Sequence, residues 1–445
     1  MNRGFVNIII LGFGFMFLFT AFQTMGNIEQ TVLKSIAEDD PTFKGDGYTS
    51  LAIIYAVFAI CNWFVPSIIS VTGPRVCIIL GALTYCFFVV SFLFPTTWLL
   101  YLASAILGVG AALIWTGQGN YLSKCSDPST ISRNSGIFWA MFQMSLFLGN
   151  TFVYFVFQGK EKIDHETRLL VFSVLIGVAI LGIVFLICLR RAQIPQTVSA
   201  VDTEDKEIEI VLTPIETLKN AVRFFFTRDM LLLSVCFLYT GLELSFFSGV
   251  YSPSIGFTLE IGSNAKQLVG MSGILIGAGA VLGGATFGIL GKKTNRWGRD
   301  PIVIMGFVLH MIAFFLIFLN LPNDAPFGDT HEVSFLNPPR VWIALLCSFL
   351  LGFGDSCFNT QIYSLLGGVF ASKSADAFAI FKFTQSIAAA AAFFYSSTFG
   401  LRTQMAIVIV FGVLGTTCYC IEEHFIRKSG RNNSTPSISV NPKEK

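Results

Sequence analysis

The sequence is short of charge. Asp, Glu, Lys and Arg together make up 13% of its 445 residues, against about a quarter in ordinary soluble domains. That scarcity excludes a water-exposed surface of normal size. The net charge of +2 is near balance, and no basic face for nucleic acid stands out. The ten cysteines show no CxxC-type metal spacing; they sit in apolar runs or, for Cys125, in a short polar loop. No structural disulfide and no bound metal is expected from them. There is no nucleophile with an attendant base and no phosphate loop, so neither an enzyme nor a cofactor is expected. A small-residue cleavage site is also missing after the first apolar run, which begins at Phe5 and continues to about Ile28. That run reads as a retained span, not a removable signal.

What is present is apolar. Hydrophobic residues supply 53% of the chain, with Phe alone at 47. Twelve candidate spans start near Asn7, Tyr48, Val76, Trp98, Gly136, Leu169, Met230, Leu268, Ile302, Val341, Phe378 and Met405. Each is long enough to cross a hydrocarbon core of about 30 Å as a helix rising about 1.5 Å per residue. Glycines and polar residues interrupt several of them, which membrane helices tolerate when neighbours cover the freed backbone groups.

The bias of Lys and Arg sets the expected orientation. With the N-terminus inside, 20 of the 29 fall on the cytosolic side, eight outside, and one, Lys382, within a span. An even number of spans then returns the C-terminal tail to the cytosol. One long inner segment divides the chain. Its first part, "TEDKEIEI", is acidic; its second, "IETLKNAVRFFFTR", has helical apolar spacing with Lys219, Arg223 and Arg228 opposite. The second part suits a helix lying on the membrane surface. The expected organisation is a six-helix bundle over residues 1–191, a cytosolic linker with an amphipathic helix over 192–228, a second six-helix bundle over 229–426, and a disordered cytosolic tail over 427–445.

The two halves resemble each other. "TAFQ" at 20–23 answers "TGLE" at 240–243; "LGVGAALIWTGQ" at 107–118 answers "LGFGDSCFNTQ" at 351–361; Gln143 answers Gln385. The offsets are 220 and then 242 to 244. Three matches in order point to an internal duplication. Six-plus-six halves in one orientation are the arrangement of parallel-repeat transporters, whose site lies at the repeat interface near the midplane.

With this pattern the chain resembles the major facilitator superfamily, a fold of twelve transmembrane helices in two six-helix, pseudo-symmetric bundles, all α. One superfamily loop signature, Gly-x-x-x-Asp-Arg-x-Gly-Arg-Arg, has a partial echo in "NRWGR", and makes Asn295, Arg296 and Arg299 a candidate gating loop. The equivalent loop of the first half, "SVTGPR", keeps Gly73 but lacks the acid and the first arginine. The closer resemblance is to the uncoordinated-93-like family. It is carried by "FTAFQTMGN" (19–27), "GYTSLAIIYAVF" (47–58), "RNSGIFWA" (133–140), "YTGLELSFFSGVY" (239–251), "CSFLLGFGDSCFNTQ" (347–361) and "AFAIFKFTQS" (377–386). The resemblance implies the twelve-helix fold. It implies either a solute carrier or a protein that regulates potassium channels or traffics receptors.

Polar residues deep in spans are the functional candidates, because an unpaired charge at the membrane centre costs about 2.5–3.5 kcal/mol on insertion scales. Four ionisable ones stand out: Glu243, Asp355, Lys382 and His310. Asp355 lies about eight residues from the inner end of span ten, or roughly 12 Å, and Lys382 is slightly shallower in span eleven. The two spans form an antiparallel hairpin, so an Asp355–Lys382 pair is expected, either as a buried structural pair or as a charged gate or substrate anchor. Glu243 has no Lys or Arg at its depth, which makes it a candidate proton carrier or a group that helps helices associate. Gln23 takes the matching place in span one and is expected to face it. His310 is expected to be a packing histidine of a peripheral span. Trp115, Thr116 and Gln118 match the region of Asn359 to Gln361 and are expected to line the same cavity, with Trp115 offering a flat face to a ligand. The Gly pairs of span eight, Gly273/Gly277, Gly279/Gly283 and Gly284/Gly288, are expected to pack helices closely between the halves.

Two functions follow from these features. One is a secondary transporter that moves an unidentified small solute by alternating access, with proton coupling through Glu243. The alternative is a transport-inactive accessory protein that binds a channel or receptor in the membrane. In both cases the chain is a multi-pass protein of the lipid bilayer. The charge bias carries a test. An epitope tag at residue 440 should be reached by antibody only after cells are permeabilised, and labelling of that tag on intact cells would reverse the topology.

Overall fold

The computed structural model describes residues 3–127, 130–157, 164–191, 214–262, 264–289 and 298–430. Among the described residues the chain is helical, and its only β feature is an isolated bridge between Thr258 and Thr330. The first half contains α1 (Arg3–Asp39), α2 (Gly47–Asn62), α3 (Val65–Thr72), α4 (Pro74–Ser91), α5 (Thr97–Lys124), α6 (Ile131–Val156) and α7 (His165–Ile187). After the amphipathic α8 (Pro214–Phe225) come α9 (Arg228–Ser245), α10 (Ser252–Phe257), α11 (Ala265–Ile289), α12 (Asp300–Asn320), α13 (Val341–Val369), α14 (Ser374–Ser396) and α15 (Leu401–Lys428). Eleven of these segments are long and apolar enough to cross a membrane, and α2 with α3, bent by 63°, supplies a twelfth. The fold is an all-α membrane fold of the major facilitator type.

Local chemistry sets the helix ends. Asp46 caps α2 through a bond from Thr49 N at 2.7 Å, and Asp164 caps α7 through Thr167 N at 3.0 Å. Both bonds satisfy a backbone donor that the helix itself leaves open. Gly73, at φ +79°, closes α3, and Pro74 opens α4. Only glycine takes that φ readily, and proline at a first helical position loses no hydrogen bond.

Two spans are longer than their apolar runs imply. α1 extends 37 residues, roughly 55 Å at helical rise. Its far end is held by Arg168 of α7, which donates to Ser35 Oγ at 3.1 Å and to Asp39 Oδ2 at 2.7 Å. The seventh span runs from Arg228 to Phe257 because α9 passes through a π-helical turn, Phe246–Tyr251, into α10. Such turns insert extra residues and re-aim side chains, often at functional sites.

The first half packs α1 on α6 and α7, and α4 on α5; the second packs α9 on α14 and α15, and α11 on α13. The halves meet along α2 against α14 and α6 against α11. Glycines make the α11 contacts possible on both sides. A Cβ at Gly277 would lie 2.9 Å from Phe147 N of α6, and one at Gly279 would lie 2.1 Å from Phe349 O of α13. The close packing is therefore only partly between halves; Gly279 and Gly283 serve contacts inside the second half. α8 lies under both halves on the face where α1 begins and α15 ends, hereafter the terminal face. There Phe225 meets Trp63 at 5.7 Å and Phe383 at 6.1 Å, ring centre to ring centre. The acidic linker "TEDKEIEI", Gly288 as a side chain, the loop residues Asn295 and Arg296, and the tail beyond Gly430 lie outside the described residues.

Gly279→Ala is expected to destabilise the protein by about 1–3 kcal/mol, the usual cost of overpacking, because the neighbour is backbone and cannot rotate away. Gly177, whose Cβ would meet nothing within 4 Å, is the control. A Gly279→Ala protein that melts with Gly177→Ala in a thermal size-exclusion assay would contradict this packing.

Candidate functional site

Between the halves lies a cavity of about 110 Å³. A buried site needs about 10–15 Å³ of such volume for one water, so this one has room for several waters or a small solute. Its walls come from both halves: α1, α2, α4, α5 and α6 on one side, α9 with its π turn, α13 and α14 on the other. Most of the wall is aromatic or aliphatic. Against it stand Gln23, Asn27, Gln143, Ser248, Asp355, Asn359, Lys382 and Gln385.

Asp355 and Lys382 share this wall, but they do not form the expected pair. Among the described residues no ion pair within 4.0 Å joins them. Each is held instead by amides. Asp355 accepts from Asn359 Nδ2 at 2.7 Å and from Gln143 Nε2 at 3.2 Å. Lys382 Nζ donates to Gln385 Oε1 at 2.8 Å and lies over three rings, 4.4 Å from the centre of Phe381, 4.6 Å from that of Trp115 and 5.6 Å from that of Tyr363. Gln385 in turn donates to Thr240 at 3.2 Å. The reason for the difference is steric and local. An aromatic face attracts an ammonium group, and Gln385 lies one helical turn from Lys382 on the same helix. The lysine therefore has partners nearer than the aspartate, and the two groups line one cavity without touching.

The duplication reappears in these contacts. Gln143 and Gln385 occupy matching places in the repeat. One turns its amide N–H to the carboxylate, the other its amide oxygen to the ammonium. Trp115 matches Asn359 in the same way; it lines the wall and donates its Nε1 hydrogen to Tyr85 at 3.2 Å.

Glu243 is not on the cavity wall. It is fully buried in α9 behind that wall, so it does not face Gln23 across the cavity as its repeat position implied. Gln23 does line the cavity, where its Oε1 accepts from Ser145 Oγ at 2.5 Å. The residue that Glu243 approaches is His310, whose Nε2 is 3.3 Å from Glu243 Oε1. His310 is therefore more than a peripheral packing histidine, although the ring is also packed. Its Nε2 lies 3.1 Å from Leu351 O and its Nδ1 is 2.5 Å from Tyr239 OH. A carbonyl only accepts, so Nε2 carries its hydrogen, and in the neutral ring Nδ1 accepts from the tyrosine. Neither carboxyl oxygen of Glu243 has a hydrogen bond among the described residues. The sequence reading missed this cluster because the three residues come from α9 and α12, and only packing brings those helices together.

Gln118 and Gln361 are buried but lie off the cavity wall. Gln361 Nε2 donates to Thr360 at 3.1 Å, and Thr116 donates to Asn62 at 2.9 Å. Arg299, the described member of the loop motif, is far from the cavity. It binds Glu423 of α15 with its Nε and its Nη2, each at 3.0 Å, beside an Asp300–Arg427 ion pair. A further buried acid, Glu29, sits near Ser50 of α2. It escaped the sequence reading because the first apolar run ends near Ile28 while the helix does not.

The terminal face is closed beneath the cavity. One turn beyond Trp115, a Cβ on Gly119 would lie 2.4 Å from the Phe378 ring of α14. Next to it Asn120 donates to Ser374 Oγ at 3.0 Å, and Ser123 reaches Gly367 O at 3.5 Å.

The sequence model of a family described as "Ion channel regulatory protein UNC-93" matches residues 40–420. The "UNC93-like protein MFSD11" of Xenopus tropicalis is 44% identical over 444 residues, 97% of this chain and 99% of that protein. More distant relatives are "UNC93-like protein 3" of Arabidopsis thaliana, 27% identical over 90% of this chain and 82% of its own length, and "Protein unc-93 homolog A" of Homo sapiens, 25% identical over 94% and 92%.

The separated charges carry a prediction. Asp355→Asn and Lys382→Met should each destabilise the fold by about 3–5 kcal/mol, because each leaves a buried charge without its opposite. The double variant should recover about 0.5–3 kcal/mol of the summed loss. Thermal melting of the four proteins in detergent decides it; strict additivity would mean the two charges do not sense each other.

Proposed function

The chain belongs to the UNC-93 family and is an integral multi-pass membrane protein, and from that premise we propose that it is a secondary transporter. It moves a small solute by rocking of its two halves about the central cavity. The observation that carries this reading is the charged cavity, walled by both halves and closed beneath by α5 against α14. Accessory contact surfaces have no need of buried charge, which is costly to keep in a membrane. In this reading Gln23, Trp115, Asn359, Asp355 and Lys382 meet the solute, with Gln143 and Gln385 positioning the two charges. Gln118 and Gln361, buried just off the wall, exchange partners as the halves move. Asn295, Arg296 and Arg299 act as a gating loop on the cytosolic side. Glu243 and His310 hold the coupled proton, and Asp355 on the neighbouring α13 links them to the cavity. The second reading, an accessory protein for a channel or receptor, is favoured by the printed description of the matched family as ion channel regulators.

The test uses the purified full chain in liposomes with an imposed pH gradient and a broad solute panel, wild type beside Glu243→Gln. The isostere keeps the volume and can still meet His310. Expected is gradient-driven flux in the wild type and at least a tenfold loss of gradient dependence in the variant. Equal dependence in both proteins would remove Glu243 from coupling. Absence of flux for every solute, with a channel or receptor recovered by cross-linking, would establish the accessory reading.

A further inference from the structure

The wall around Asp355 is arranged for more than keeping a carboxylate buried. Asn359 and Gln143 each give amide hydrogens to Asp355. That fixes which way the amides point and turns their oxygens away. Asn359 Oδ1 and Gln143 Oε1 are both buried, and neither has a hydrogen bond among the described residues. A carboxylate has about four lone-pair sites, so Asp355 keeps capacity of its own. Beside the Asp355 carboxylate the wall thus holds two further acceptors without a partner, one from α6 and one from α13. A primary ammonium has three donors and no acceptor. On the same wall, Lys382 of α14 gives one hydrogen to Gln385 and rests on aromatic faces, which leaves donors for an anion.

The two charged groups together sort solutes by charge. An organic anion would gain Lys382 and be repelled by Asp355. An amine would gain Asp355 and be repelled by Lys382. In a low-dielectric site each repulsion is large enough to reject the wrong class. A molecule carrying both signs pairs with both groups. The rest of the wall is largely apolar, with Leu51, Ile54 and Leu244 among its residues, and the cavity of about 110 Å³ suits a small aliphatic body beside the two charges. We propose that the cavity takes a small zwitterion with a primary ammonium and a carboxylate, of the class of aliphatic α-amino acids. Its ammonium lies among Asp355, Asn359 and Gln143, and its carboxylate lies on Lys382. The proposal rests on reading the cavity as a solute site.

Binding is measured first, apart from transport. The full chain in detergent is melted with L-valine, with 3-methylbutanoate, which lacks the ammonium, and with 2-methylpropylamine, which lacks the carboxylate. Glycerophosphoethanolamine stands for a lipid headgroup with the same ammonium. Valine should raise the melting temperature in a saturable way, and each singly charged analogue should need at least tenfold more ligand. Asn359→Ala, which removes one acceptor and the amide that orients Asp355 while keeping both charges, should weaken valine at least tenfold and leave 3-methylbutanoate unchanged. Stabilisation by an analogue as strong as by valine would overturn the proposal, as would stabilisation by glycerophosphoethanolamine alone. Valine that binds but is not moved in liposomes refutes the transporter reading and leaves the zwitterion site standing. Flux of a purely anionic or cationic solute without valine binding does the reverse.

Discussion

Two opposite charges buried in one cavity, near enough to act on each other and kept from touching, govern the structure around them. Water is scarce at that depth, so each charge needs protein partners. Those partners decide which helices must approach. Asp355 on α13 takes one amide from its own helix and one from Gln143 on α6 of the opposite half. Lys382 on α14 takes Gln385 one turn along its own helix and the Trp115 ring from α5, again from the opposite half. The charges therefore act as cross-ties between bundles. Apolar contact alone could not do this so specifically, since lipid tails compete equally well for an apolar surface.

The second buried cluster depends on the first through α13. Leu351 O, near His310 Nε2, and Asp355 are one helical turn apart, so any rotation of α13 that moves the cavity carboxylate also moves the carbonyl beside the histidine. His310 in turn links Tyr239 and Glu243 of α9. The π turn that follows Glu243 carries Phe247 and Ser248 to the cavity wall. Glu243 thus sits between a histidine on one side and a break in regular helix on the other.

The terminal face shows what the movement would have to undo. Its seal consists of small residues and neutral hydrogen bonds: Gly119 under Phe378, Asn120 on Ser374, Ser123 on Gly367. Contacts of this kind are individually worth about 0.5–1.5 kcal/mol. The strong ion pairs, Arg299 with Glu423 and Arg427 with Asp300, lie inside the second half, not across the seam. Among the described residues, the separation of the halves that the proposed rocking requires at this face would part no ion pair. α8, with Phe225 on both Trp63 and Phe383, rides over the seam.

The amino-acid sequence by itself determined the fold class, the span positions, the internal duplication and the chemical identity of the cavity's charges. The reason is that hydrocarbon imposes a one-dimensional rule. A stretch of about 20 apolar residues must be helical, and a charge inside it stands out against that background. The same rule fails at helix ends outside the apolar runs, which is why Glu29 and the full length of α1 went unseen. Partner choice was decided only by the tertiary structure. The sequence places Asp355 and Lys382 at similar depth, yet rotation about each helix axis gives the aspartate two amides and the lysine one amide and three rings. Glu243 and Gln23 match in the repeat, yet only one of them faces the cavity. Depth follows from counting along the chain; azimuth follows from packing against neighbours distant in sequence, and it is azimuth that determines which side chains meet.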